Sequence, residues 1–389
     1  MSQPALIDEP ENAIDIKPVR TADERKTFIR VTNDIYKDDP HFVAPLEFEL
    51  SPRIDPDKNP LLKSARHQLW VAFKDGKPVG RISALINPDH LARHQDGTGH
   101  FGFYESIDDP AVATLIFGAA ETWLREQGMK HIAGPYSFSV NEECGMLVKG
   151  FDAPPYIMMP HGRPYYQSQI EALGYAKAQD MHALRYIPRR QFIPERRQKF
   201  IEKIVNKPHI EVRNMRPGGL EDDLRIIIDI FNDAWSDNWG FIPFTEDHAK
   251  HMASELRPII RRDYIVICSI NDEPMAFGLV LPNINEVIAG FGGKLLPFNW
   301  VQFLWKLKVS GIKSSRMPLM GVRKSIQGKP TGAAFAYKII DMVNSTNIDR
   351  GVTEAELSWI LEDNEAMLSM LLDMGGEIYK TNRIYKKAL

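Results

Sequence analysis

Only two cysteines, Cys144 and Cys268, occur in 389 residues. Their number and separation exclude a disulfide framework, and no cysteine spacing of the metal-binding kind is present. Dense carboxylate or Cys/His clusters are missing as well, so no metal is expected. Charge of one sign is not in excess: 48 basic and 51 acidic side chains give a formal net charge of −3, which speaks against nucleic acid as a partner. No run approaches the ~18 consecutive apolar residues that cross a bilayer. The N-terminal stretch Ile7-Asp8-Glu9-Pro10-Glu11 is polar and acidic, unlike a secretory signal. A cytoplasmic, reduced protein is expected. Its 43% hydrophobic content is enough for two cores at this length.

What is there is an order of elements that occurs twice. Residues 14–19 alternate as a strand, and 22–36 carry helical spacing. Strands at 68–73 and 79–86 flank the turn Lys74-Asp75-Gly76-Lys77-Pro78. A strand at 100–104, a helix at 111–127, a short strand at 131–133, a helix at 164–173 and a strand at 175–186 follow. The second half runs strand 209–216, helix 220–235, and strands 264–270 and 275–281 around Asn271-Asp272-Glu273-Pro274. Strand 316–322, helix 333–343, strand 351–359, helix 364–374 and strand 377–385 complete it. This predicts a duplicated α/β unit, an α+β mixed sheet in two tandem domains, 1–188 and 209–389. Residues 189–208, rich in Pro and Arg, read as a basic linker containing a short helix.

The most informative segment runs from Met320 to Ala334. A strand passes through Gly321, Val322, Arg323 and Lys324, then through Gln327, Gly328, Lys329, Pro330, Thr331 and Gly332, into a helix at Ala333. Such a turn aims backbone N–H groups at an anion, and the helix start adds its positive dipole end. Arg323, Lys324 and Lys329 add fixed positive charge, and a diphosphate suits the site.

Gln327-Gly328-Lys329-Pro330-Thr331-Gly332 resembles the coenzyme A signature of the GNAT acyltransferases, Gln/Arg-x-x-Gly-x-Gly/Ala, with Pro330 in place of the first Gly. Downstream, Leu357 to Met367 and Asp373-Met374-Gly375-Gly376 are similar to the family pattern at matching spacing. The resemblance implies two tandem GNAT-like acyl-CoA N-acyltransferase domains. It covers 209–389 well and 14–186 by element order alone. It implies an acyl thioester donor, coenzyme A, with an acyl carrier protein still open as the carrier, and a small-molecule or lipid amine acceptor. It places Asn364 on the pantetheine arm. It places Trp235, Asn238 and Trp239 over the acceptor, and a strand distortion that frees an N–H for the thioester carbonyl at Met320-Gly321-Val322. The tyrosine that often protonates the leaving thiolate is replaced by Leu371, which has no proton to give. The matching turn of the first half, Glu105-Ser106-Ile107-Asp108-Asp109-Pro110, is acidic and should repel a pyrophosphate.

Acyl transfer needs a deprotonated amine. An ordinary amine has a pKa near ~10.4, so a proton acceptor is required at neutral pH. Glu354 and Glu356 share one face of the strand at 351–359 with Ser358 and are the expected catalytic carboxylates; a rim position is the plainer use of the pair. Pro330 and Leu371 favour the alternative of a non-catalytic module that keeps the fold. Lastly, from Val287 through Ile340 there are nine Lys or Arg and no Asp or Glu. Within this stretch, 297–309 reads as a helix with a narrow polar stripe of Asn299, Gln302 and Lys306. Tryptophans beside lysines suit peripheral contact with the inner membrane face; packing between the two halves is the other use.

Overall fold

The computed structural model describes residues 13–389; the acidic stretch at 7–11 lies outside the described residues. β1 (Ile14–Pro18), α1 (Ala22–Ile35), α2 (Glu47–Arg53) and α3 (Pro60–Ser64) come first. The hairpin β2 (Arg66–Lys74) and β3 (Lys77–Ile86) leads to α4 (Pro88–His94), β4 (Thr98–Ser106) and α5 (Pro110–Glu126). β5 (His131–Gly134), β6 (Met146–Lys149), α6 (Tyr166–Ala172) and β7 (Ala176–Tyr186) close the first half, and α7 (Glu195–Val205) joins it to the second. There follow β8 (Ile210–Asn214), α8 (Leu220–Ala234), α9 (Glu246–Leu256) and the hairpin β9 (Ile265–Ile270) and β10 (Glu273–Pro282). α10 (Asn285–Ile288), α11 (Asn299–Trp305), β11 (Ser314–Val322) and α12 (Pro330–Asp349) precede β12 (Glu354–Leu361), α13 (Glu365–Asp373) and β13 (Glu377–Ala388).

The doubled order read from the sequence is the order observed. Both hairpins turn on residues held at positive φ, Asp75-Gly76 in the first and Asn271-Asp272 in the second, as two-residue hairpin loops demand. Strand faces alternate. Ile265 and Ile267 pack with Leu224, Ile227 and Phe231 of α8; Val266 and Cys268 pack with Phe335, Ile339 and Val343 of α12 on the opposite face. The first half repeats this: Leu69 and Val71 meet Phe28 and Ile29 of α1, while Trp70 and Ala72 meet Val112, Ile116 and Ala120 of α5. A period of two on each strand thus feeds two helical layers.

The strands make one mixed sheet in the order β1-β2-β3-β4-β5-β13-β7-β12-β11-β10-β9-β8, with β6 on β13. Sheet pairing crosses the sequence boundary because the final strands of the two halves are exchanged. β13, the last strand of the second half, pairs with β5, and β7, the last of the first half, pairs with β12. The two exchanged strands run antiparallel to each other at the centre. The joining segment is partly built into the core: Phe192, Ile201 and Ile204 are buried.

Candidate functional site

β11 and β12 run parallel and pair only from Ser314–Glu354 to Met317–Leu357. Beyond that point the strands continue unpaired with each other, which leaves a split. On its other side β11 bulges: the register steps from Leu281–Arg316 to Leu279–Leu319, with an extra residue at Met317-Pro318. Proline cannot donate a ladder hydrogen bond, so the distortion falls where Pro318 stands. It therefore lies upstream of Met320, Gly321 and Val322, which pair regularly with Gly278, Phe277 and Ala276. A side chain at Gly321 would meet the Phe277 ring at 2.6 Å. Within the split, the Trp235 indole N–H donates to the Met320 carbonyl at 3.1 Å, and the Trp235 ring stands edge-on to Trp359.

At the end of β11 the chain turns into α12. Gly328 has a φ of 70°. The amides of Ile326 and Gln327 bond back to the Arg323 carbonyl, and that of Lys329 to Ile326, so part of the turn is internally closed. The first turn of α12 is not. Thr331 and Gly332 are among the residues whose amides are orphaned at a helix start, and no side chain caps them. Gly332 is held for steric reasons, since a Cβ there would lie 2.2 Å from the Ile326 carbonyl oxygen. Ala333 continues the helix with its amide on Lys329. Lys329 and Gln327 are exposed at the turn, and the Gln327 side chain donates to the Val322 carbonyl at 2.7 Å.

Arg323 and Lys324, expected to add fixed positive charge, are each paired with carboxylates. Arg323 pairs with Asp229, and Lys324 with Asp237 at 2.5 Å, while the Lys324 amide donates to Asp233 at 2.9 Å. Asp229 and Asp233 recur every four residues on α8, and that spacing was a legible signal of an acidic face. Asn364 caps α13, accepting from the Met367 amide at 3.2 Å. Leu371 is 4% exposed and sits in the core beneath α12.

The equivalent turn of the first half is shut. Asp109 caps α5 by accepting from the Ala111 amide and pairs with Lys74 at 2.8 Å. Its split is bridged as well, because the Tyr136 amide donates to the Phe101 carbonyl at 2.9 Å.

Glu354 and Glu356 come together with groups the sequence did not point to. Glu356 has no solvent exposure. Ser358 Oγ donates to it at 2.5 Å, and so does the Tyr379 hydroxyl. Arg316, 3% exposed, stands with Nε 3.7 Å from Glu356 and donates to Ser358 Oγ and to the Ile157 carbonyl. Glu354 is nearer the surface, accepting from the Tyr156 hydroxyl at 2.6 Å and lying 3.2 Å from Arg185. Burial, with the Glu356 charge second, pushes the Tyr379 phenol well above the usual range. Burial also lowers the Lys380 ammonium to about 8; it donates to the carbonyls of Ala153 and Pro154. The segment carrying Tyr156 and Ile157 thus roofs the carboxylates.

Asn238, whose amide donates to the Trp235 carbonyl at 2.9 Å, and Trp239 follow directly. They close a cavity of about 350 Å³ against His90, His94, His100 and Lys386. Burial lowers His100 to about 3, so its ring is neutral. Among the described residues no group of His, Cys, Asp or Glu is arranged to hold a metal.

No family model matches the chain. Solved structures that share this fold include GNAT proteins. A tandem GNAT protein from the clavulanic acid biosynthesis pathway superposes with a TM-score of 0.57 at 11% identity, over 97% of this chain and 98% of that one. A GCN5-related N-acetyltransferase from Sphaerobacter thermophilus gives 0.52 at 12% identity, over 96% and 95%. Among proteins of known sequence, Protein YghO of Escherichia coli (strain K12) is 41% identical over 366 residues, covering 94% of this chain and 93% of that protein. The bacterial ceramide synthase of Caulobacter vibrioides is 39% identical over 379 residues, covering 97% and 98%. The chain belongs to the family that contains these two proteins, and its fold is that of the tandem GNAT structures.

Proposed function

We propose that the chain is an acyl-CoA-dependent N-acyltransferase acting on a long-chain amine, with the chemistry in the C-terminal half. The observation that carries this is the contrast between two equivalent helix starts. α12 is uncapped beside an unpaired strand split, whereas α5 is capped by Asp109 beside a bridged one. An uncapped helix start offers N–H groups and a positive dipole end to a diphosphate. A ceramide is a long-chain amino alcohol acylated on nitrogen, so the ceramide synthase relative supports a lipid amine as acceptor.

In this reading the thioester lies along the split, and its carbonyl meets the attacking amine near Ser358. Glu354, the more open of the two carboxylates, takes the amine proton through Tyr156 or water as the C–N bond forms. Glu356 is enclosed and holds Tyr379 and Ser358 in place. As the C–S bond breaks, a proton must reach the thiolate. Leu371 cannot give it, and Tyr379, whose hydroxyl donates to Glu356 and whose pKa burial raises well above a thiol's, holds its proton too tightly; Glu354, protonated by the amine, returns it through water. Ordering both reactants supplies on the order of 7–11 kcal/mol of the barrier reduction. The test is turnover: purified protein, palmitoyl-CoA and sphinganine, with thiol release and N-acyl product followed together. Product without dependence on the C-terminal turn, or no coenzyme A binding at millimolar ligand, defeats the reading. The latter result would favour a non-catalytic module.

A further inference from the structure

The connection between β10 and β11 is much longer than a hairpin and stands on the surface. α11 and the π-helical turn that continues it (Lys306–Ser310) contain no buried residue. Phe303 and Leu307 lean on a cluster formed by Val43, Leu46, Val287, Ile288, Phe291 and Ile312, which fixes the element along one line. At about 100° per residue, Val301 and Trp305 point away from Phe303. Phe298 is 80% exposed, Val309 71% and Trp305 55%, with Leu296 and Trp300 exposed beside them. A contiguous patch of this kind, uncovered in a folded protein, marks an interaction surface.

Its occupant is set by charge. No Asp or Glu occurs from Val287 through Ile340; Glu47 lies near Lys294 and Glu286 accepts from the Lys313 amide, so Lys306 and Lys308, within the element itself, carry its positive charge. A second copy of the chain would bring lysine against lysine. An anionic bilayer meets both needs, with headgroup phosphates for the ammonium groups and acyl chains for the aromatic rings. Among the described residues no helix is long and apolar enough to cross a membrane, so the element would lie in the plane of the interface.

We propose that α11 and its π-helical continuation form an in-plane anchor for an anionic membrane surface. The anchor is coupled to the roof over Glu356. Just before it, Asn283 accepts from the Ile157 amide at 3.0 Å and Asn285 donates to the Pro155 carbonyl at 3.0 Å. It also adjoins the Ser314 end of β11, whose nine residues span roughly 30 Å to the turn before α12. The membrane end and the diphosphate end are therefore opposite ends of one strand. That a lipid amine enters from the anchor side rests on the acyl-transfer reading; the docking itself does not.

The experiment is co-sedimentation of the full chain with phosphatidylcholine vesicles, and with vesicles that also contain phosphatidylglycerol. The expected result is binding that is stronger with phosphatidylglycerol and weakened by salt. Replacing Phe298, Trp305 and Val309 together by serine lowers partitioning about tenfold or more. Lys306→Glu with Lys308→Glu removes the preference for the anionic lipid. None of these side chains is buried, so the melting curve should be unchanged. Wild-type protein that stays in the supernatant with both vesicles overturns the proposal, as does a triple variant that partitions like wild type. A dimer that the triple variant dissolves would assign the patch to a second copy and also overturn it. No turnover is needed, so failure here leaves the acyl-transfer reading standing.

Discussion

His100 and Arg316 occupy the same register position in the two halves: each is the third residue of the parallel ladder that precedes the split. Opposite His100 stands Ala133, and opposite Arg316 stands Glu356. The small residue leaves a cavity, and the carboxylate fills the matching space with an ion pair. One duplicated position has thus become an open pocket in one half and a sealed polar network in the other.

Breaking that network from one side should be costly. Arg316→Met leaves the Glu356 carboxyl enclosed without its ion-pair partner, and should destabilise the protein by about 3–5 kcal/mol. Glu356→Leu should cost a similar amount. The double variant should cost much less than the sum, because no uncompensated charge remains. Urea unfolding of the three proteins checks this; additive losses would mean that the two groups act independently.

The helix start of α12 can be closed by copying the first half. Lys329→Asp places a capping carboxylate where Asp109 stands before α5. Stability should rise by about 0.5–1 kcal/mol, while coenzyme A affinity, read by calorimetry, should fall at least about tenfold. A rise in stability with unchanged affinity would remove the diphosphate from this turn. Gly332 is the poorer probe, because any side chain there already strikes the Ile326 carbonyl.

Tyr379→Phe removes one hydrogen bond from the enclosed Glu356 carboxylate. Stability should fall by about 1–3 kcal/mol in urea unfolding, with kcat within a few-fold of wild type. A ~100-fold loss of kcat at unchanged stability would instead make the hydroxyl the proton donor to the leaving thiolate.

His100 gives a pH signature. Unfolded, it takes up a proton near 6.5; folded, burial holds that event down to about 3. Its depressed pKa means the unfolded state binds more protons between these values. Stability is therefore full above pH 6.5 and is lost as pH falls, by up to about 1.4 kcal/mol per pH unit. His100→Gln should flatten that slope in denaturation series run from neutral pH towards about pH 4. An unchanged slope would locate the acid sensitivity elsewhere, His90 being the neighbour whose pKa burial also lowers.

The layers were legible because hydrophobic periodicity decides them: the alternation at Ile265–Cys268 and the spacing of Leu224, Ile227 and Phe231 are visible in the chain. Glu354, Glu356 and Ser358 were legible as one face of one strand. Arg316 was not, since an arginine reads as surface until its partners are known. Nor was the exchange of β7 and β13, because pairing between segments ~200 residues apart leaves no local mark. The short strand Met146–Lys149 and helix Pro88–His94 also passed unread, the one short, the other hidden behind a proline-led start. Pro318 carried a usable signal for the bulge, and the motif downstream drew attention past it.

The hand-over of final strands has a consequence for how the protein is made. As the chain leaves the ribosome, β5 has an empty side that only the last strand of twelve residues can cover. The first half therefore waits with an open hydrogen-bonding edge for most of synthesis, a state that invites mispairing and calls for chaperone shelter. A stop codon placed before Glu377 would cost the first half its centre, although every residue of that half had already been translated.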